Sequence, residues 1–199
     1  MYKRQLIKNP ISRIEVASAG GYLSYENIAD KATVAGVEVE VRKNLFVRPL
    51  SSAANGMNKL SFGLNGSYIY TNAKMPLATV TTGSQLEGAA PWIANFDLSH
   101  NFTKGTHSFI NTLVFNYVSD KIYTIGTQGY QDIIEQGMMT LDFVSQAKLN
   151  KYVSLTLKAR NLLNPSYKLS RKANESGEKV VLSDYKKGIN ISLGVSCTF

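Results

Sequence analysis

The run Ile189-Asn190-Ile191-Ser192-Leu193-Gly194-Val195-Ser196-Cys197-Thr198-Phe199 puts an apolar residue at every odd position and a small or polar one between each pair. Successive side chains of a β-strand point to opposite faces, so this stretch predicts a strand with one greasy face and one small polar face. The same period recurs upstream. Val153, Leu155, Leu157 and Ala159 alternate with Ser154, Thr156, Lys158 and Arg160. Met139, Leu141, Phe143, Ala147 and Leu149 alternate with Thr140, Asp142, Gln146 and Lys148, with Ser145 interrupting the apolar side once. Phe109, Leu113, Phe115 and Tyr117 share a face in 107–119, where Ile110 and Val114 blur the pattern. Ala94, Phe96, Leu98 and Phe102 follow the rule, as do Leu60, Phe62, Leu64, Tyr68 and Tyr70, and Val37, Val39 and Val41. With an incomplete strand through Tyr2 to Lys8, the chain reads as all-β, with about eight strands.

The connections carry the topology. Segments 103–106 and 150–152 are tight turns, whereas 9–30, 72–90, 120–136 and 164–185 are long and rich in Gly, Ser, Asn and Tyr. Segment 47–58 is intermediate and falls where another short turn is due. Long and short links therefore alternate, as they do in an antiparallel up-and-down transmembrane β-barrel, whose short turns and long loops lie on opposite sides of the membrane. A soluble sandwich has no reason to sort loop length by parity.

Composition narrows the classes. The 199 residues are 44% hydrophobic with a mean hydropathy of −0.12, and no apolar run approaches the ~18 residues of a spanning helix. That excludes helical spans but not barrel strands, which alternate and average to near-neutral hydropathy. The net charge of +8 is dispersed, with a modest gathering from Lys168 to Lys187, and no basic groove interleaved with stacking aromatics points to nucleic acid. Cys197 is the single cysteine, so no internal disulfide forms, and its place in an alternating strand reads as a small apolar side chain. Met1-Tyr2-Lys3-Arg4-Gln5-Leu6-Ile7 is too short and too polar for a signal-peptide core, so the numbering is expected to begin inside a longer protein.

Two features choose the membrane over water. The polar faces carry small groups such as Ser154, Thr156, Ser192, Gly194 and Ser196, which suit a crowded interior. Phe46, Tyr68, Tyr70, Phe102, Tyr117, Tyr167, Tyr185 and Phe199 cluster near strand ends, where amphipathic rings form interfacial girdles. Phe199, closing an alternating strand, also resembles the signal by which the outer-membrane assembly machinery recognises barrel proteins.

These residues resemble the TonB-dependent outer-membrane receptors, in the style of Bacteroidetes-type bacteria. Lys8-Asn9-Pro10-Ile11, Tyr25-Glu26-Asn27 and Ala35-Gly36-Val37-Glu38-Val39-Glu40 are similar to that family's "NPI … N … GVELE" stretch. Gly66-Ser67-Tyr68-Ile69-Tyr70-Thr71-Asn72-Ala73-Lys74 resembles a strand rising to an outer loop, and Gly88-Ala89-Ala90-Pro91-Trp92-Ile93-Ala94-Asn95 the strand descending from it. Asn161-Leu162-Leu163-Asn164-Pro165-Ser166-Tyr167 matches the "NLxN/DxxY" corner before the last loop, and Gly188 to Val195 the closing strand. The resemblance implies a 22-stranded barrel of the bacterial outer membrane, plugged by an N-terminal domain and driven by the inner-membrane TonB complex. Such receptors import siderophores, cobalamin or glycans. No plug domain or TonB box is legible, so residues 1–199 are expected to be a C-terminal barrel portion that does not transport alone. Its partners would be outer-membrane lipid and lipopolysaccharide, the plug and remaining strands, the TonB complex through the N-terminal part, and the assembly machinery.

Catalytic chemistry is not legible. His100 and His107 flank a turn without further metal ligands, and Glu38 and Glu40 read as charge facing a plug or lumen. No nucleophile–base set or phosphate loop appears, so neither enzymatic activity nor a cofactor is expected. The long loops hold the candidate ligand contacts Trp92, Tyr123, Tyr130 and Tyr185, whose rings can stack on a solute or anchor at the membrane interface. Lys168, Arg171, Lys172, Lys179, Lys186 and Lys187 are candidates for lipopolysaccharide phosphates. Two other readings stay open: a self-contained eight-stranded outer-membrane barrel with a structural or adhesive role, and a soluble lipocalin-like barrel with its apolar face inside.

Overall fold

The computed structural model describes residues 1–16, 22–50, 56–74, 85–127, 129–173 and 177–198. The strands are β1 (Tyr2–Lys8), β2 (Ile11–Glu15), β3 (Leu23–Asn27), β4 (Lys31–Pro49), β5 (Met57–Lys74), β6 (Trp92–Lys104) and β7 (His107–Val118). They continue with β8 (Lys121–Thr124), β9 (Ile133–Glu135), β10 (Met138–Lys148), β11 (Val153–Arg160), β12 (Ser166–Lys172), β13 (Lys179–Lys186) and β14 (Asn190–Cys197). The fold is all-β and antiparallel.

Eight strands form one sheet in the order β1-β4-β5-β6-β7-β10-β11-β14, corresponding one for one to the eight alternating segments of the sequence. The sheet is not closed: β1 and β14 are its two edges and do not pair with each other. Register keeps the two faces distinct across the sheet. Phe62, Leu98, Leu113, Phe143, Ala159 and Ile191 stand opposite one another on six successive strands. One residue out of phase, Glu40, Asn65, Asn95, Asn116 and Thr140 form a polar row on the other face. A register slip of one residue would mix these rows, so the alternation fixes the pairing.

The short links behave as their residues require. Gly105, at φ 60°, opens the two-residue loop between the paired Lys104 and His107, a first position that favours glycine in a type II′ hairpin turn. Asn150 accepts the backbone N–H groups of Tyr152 and Val153 through Oδ1, both at 2.8 Å, which closes the β10–β11 turn. In the link 47–58 the strands run further than the sequence suggests, to Pro49 and from Met57.

The long links differ more from expectation, because among the described residues three of them contain strands of their own. β2 and β3 pair as a hairpin within 9–30, while β8 and β9 within 120–136 join β12 and β13 within 164–185 in a four-stranded sheet ordered β13-β12-β9-β8. These pieces gather at one end of the long sheet as a cap with its own core of Ile14, Ile28, Ile122 and Ile125, against which Ile134 packs.

A corner fixes the route into β14. Asn161 and Asn164 hold positive φ values of 59° and 44°, a region that asparagine tolerates better than other side chains. Asn161 donates its backbone N–H to Asp142 Oδ1 at 2.8 Å and its side-chain amide to the Gly188 carbonyl at 2.7 Å. Asn164 Oδ1 accepts the Gly188 N–H at 3.1 Å, and Leu162 N–H donates to the Leu141 carbonyl at 2.8 Å. The end of β11 is thereby tied to β10 and to the residue that leads into β14.

Candidate functional site

Burial identifies the face on which the cap sits. Ala32 and Ala73 are 1% exposed and Thr71 is buried; all three belong to the polar phase of β4 and β5 and pack under the cap with Ala29, Ile7 and Leu86. Thr71 Oγ1 accepts the Leu86 N–H at 3.1 Å. On the apolar phase the reverse holds: Ile191, Leu193 and Val195 are 69%, 71% and 63% exposed, and Val37, Leu64, Tyr68 and Phe96 are exposed as well. Among the described residues no apolar side chain of that face is buried. A soluble barrel would bury this face in its interior. Here the cap folds over the polar face and leaves the apolar one bare, contrary to the lipocalin-like alternative.

The cap draws all four long links together through charge. Arg171 meets Glu15 in a two-pronged pair, Nη1 to Oε2 at 2.8 Å and Nη2 to Oε1 at 3.0 Å, joining β12 to β2. Both side chains are more than four-fifths buried, so the geometry must offset a sizeable desolvation cost. Arg13 pairs with Glu87 and lies 4.4 Å from the Tyr123 ring centre, with the Tyr25 ring on another side. Lys121 holds Glu135 at 3.1 Å, and the Tyr167 hydroxyl donates to the same carboxylate. Burial, with the charge and hydrogen bond of Glu135 beside it, pushes the Tyr167 phenol up to about 12.

Glycines shape the links on either side of β9. A Cβ on Gly126 would lie 2.1 Å from the Tyr130 carbonyl oxygen, and the Gly126 N–H donates to Asp132 Oδ1 at 2.7 Å. Gly137 donates likewise to Asp120 Oδ1, and its Cβ position is closed by the Val118 carbonyl.

The polar face below the cap is a hydrogen-bonded wall. Asn65 donates to Glu38 at 2.8 Å, Asn95 to Asn65 at 3.2 Å and Asn116 to Thr140 at 3.2 Å. Arg42 bonds Glu40 and reaches Asp97 at 3.9 Å, and the Asp97 carboxylate occupies the space that a side chain at Gly63 would need. Carboxylates thus gather on β4 and β6, and Lys158 and Arg160 stand on the same face of β11.

The candidate aromatic contacts separate into two groups. Tyr123 and Tyr130 belong to the cap, against Arg13 and Arg171 respectively, and Tyr185 stacks on Tyr167 with ring centres 5.0 Å apart. Trp92 lies elsewhere, on the apolar face, 4.5 Å from Tyr68 and in one row with Tyr2 and Val37. The basic candidates also divide. Lys168 holds Asp184 at 3.1 Å, Arg171 holds Glu15, and Lys187 lies 5.3 Å over the Tyr167 ring. Lys172 faces Lys179 across the β12–β13 hairpin, and Lys186 faces Ser166. Phe199 lies outside the described residues. The sequence did not single out Arg13, Glu15 or Glu87 because pairs separated by 74 and 156 positions leave no periodic trace.

One protein family, described as TonB dependent receptor-like, beta-barrel, matches residues 4–162. No curated protein and no solved structure matches the chain.

Proposed function

The chain belongs to the TonB-dependent receptor β-barrel family, and from that premise we propose that it forms the C-terminal wall of a bacterial outer-membrane receptor that admits a scarce nutrient such as a siderophore, cobalamin or a glycan. The observation that carries this reading is the bare apolar face opposite a capped polar wall. In a bilayer that face meets lipid, the polar wall lines the lumen or meets the plug, and the cap stands at the outer mouth. Tyr2, Tyr68 and Trp92 then belong to an interfacial girdle, while Tyr123, Tyr130 and Tyr185 remain the mouth residues offered to a solute.

The open edges favour a portion of a larger barrel over a self-contained eight-stranded one. Each edge presents unpaired backbone groups, and hydrocarbon tolerates none of them. On this reading further strands of the receptor close the seam, the plug fills the lumen, and energy reaches the plug from the TonB complex. Lys172, facing Lys179, is the cap cation best placed to take a lipopolysaccharide phosphate, because like charges directly opposite repel until an anion joins them. Lys168 and Arg171 already carry carboxylates.

An immunoblot of fractionated source-cell membranes, with antibody to segment 164–185, tests the reading. A band in the outer-membrane fraction that shifts on boiling and runs far above 21.9 kDa is the expected result. A band confined to the soluble fraction would refute membrane residence. A shifting band at 21.9 kDa would replace the receptor portion with the small barrel.

A further inference from the structure

Five cations of the cap and wall are held by carboxylates. Arg13 has Glu87, Arg42 has Glu40, Lys121 has Glu135, Lys168 has Asp184 and Arg171 has Glu15. On the polar face of β11, among the described residues, neither Lys158 nor Arg160 has an ion pair or side-chain hydrogen bond. Their cross-strand neighbours on β14 are Ser192 and Asn190, which are small or neutral.

Arg160 lines a cavity of about 370 Å³ just below the cap, together with Lys187, Asn190, Tyr167, Thr140 and Asp142. Among the described residues Asp142 is the one carboxylate on its wall, and Asp142 Oδ1 is engaged by the backbone N–H of Asn161 at 2.8 Å. Nearby Glu135 is held by Lys121. Lys187 is positioned over the Tyr167 ring, and the phenol, turned to Glu135, remains a neutral wall. The cavity has the size of a small-molecule site, and it presents two cations against one engaged carboxylate.

We propose that this cavity is the subsite for an anionic oxygen group, a carboxylate or a phosphate, on the solute that the receptor admits. The proposal rests on the receptor reading above and narrows its substrate class. A guanidinium presents paired N–H donors that match the two oxygens of either anion, and Lys187 adds a point charge from the cap side.

Outer-membrane vesicles of the source cell, made with the chain unaltered or substituted, provide the test. The probes are radiolabelled citrate and radiolabelled inorganic phosphate, measured by equilibrium retention. Saturable retention of citrate alone assigns a carboxylate, and of phosphate alone a phosphate. Arg160→Gln is expected to weaken retention about ten-fold or more, the worth of one charge-assisted bidentate contact. Lys187→Gln should weaken it less, and Lys104→Gln in the far turn should leave it unchanged. Equal retention with Arg160→Gln, in vesicles whose chain level and heat-modifiable migration match the unaltered chain, overturns the proposal. So does the absence of saturable retention of either anion up to about 1 mM, the weak end of specific binding. If Arg160→Gln fails to reach the membrane, the exposed Lys187→Gln reads the same cavity. Vesicles that lack the unaltered chain altogether sink the receptor reading itself, a result distinct from the other two.

Discussion

Replacing Asn161 separates two contributions that the corner before β14 combines. At φ 59° an alanine bears the left-handed penalty of about 1–2 kcal/mol that asparagine largely escapes. Alanine also loses the 2.7 Å hydrogen bond to the Gly188 carbonyl, worth about 0.5–1.5 kcal/mol. Asn161→Ala is therefore expected to cost about 2–3 kcal/mol. Asn161→Gly removes the same hydrogen bond without the backbone penalty and should cost about 1 kcal/mol. The backbone N–H to Asp142 persists in both variants. Urea unfolding in detergent micelles measures the two costs, and hydrogen exchange at the amides of β14 localises them. Faster exchange at Gly188 and along β14 is expected, ordered unaltered chain, then Gly, then Ala. If Gly and Ala cost the same, backbone conformation contributes nothing at this corner. If neither changes exchange in β14, the corner does not hold the last strand, and the reasoning fails.

Three further outcomes follow from the cap. Gly126→Ala drives a methyl into the Tyr130 carbonyl and should open the loop between β8 and β9, seen as new proteolytic cleavage near 126–132 while the long sheet stays protected. Arg171→Ala strands Glu15 in a largely buried position and should destabilise the cap by about 3 kcal/mol, with the first protection lost in the β2–β3 hairpin; Glu15→Gln with Arg171→Met should recover much of it. Because Tyr167 keeps its proton up to about 12 when folded and to about 10 when unfolded, cap stability should fall as pH rises between those values; Tyr167→Phe should remove that slope, followed by phenolate absorbance.

The long sheet was readable because a period of two is a local property. Each strand shows its alternation without knowledge of its neighbours, and the odd phase of Ile191 to Val195 is the phase exposed in the structure. The cap was not readable for the opposite reason. Its strands are short, and β8 carries Lys121, Ile122, Tyr123 and Thr124, too few residues to establish a period. The ties that order it, Arg13 to Glu87 and Glu15 to Arg171, join distant links. All four aromatic candidates are expected in the long links; Tyr123, Tyr130 and Tyr185 lie in the cap, whereas Trp92 opens β6 and follows its phase onto the apolar face. Arg160 shows in the sequence only as a polar position in an alternating strand, because the hydrogen bond that turns Asp142 to Asn161 joins residues 19 apart, one on β10 and one just past β11.

The separate isoleucine core of the cap means that cap and long sheet depend on different solvents. Burial of Ile14, Ile28, Ile122 and Ile125 is driven by water, at about 1.5–3 kcal/mol per side chain, and urea weakens it directly. The apolar face of the wall gains nothing from that core and relies on an amphiphile to cover it. The two layers should therefore melt apart: denaturant releases the cap while the strands remain ordered, and detergent exchange disturbs the strands while the cap keeps its shape. The core of the cap can therefore be loosened without disturbing the strand pairing of the long sheet.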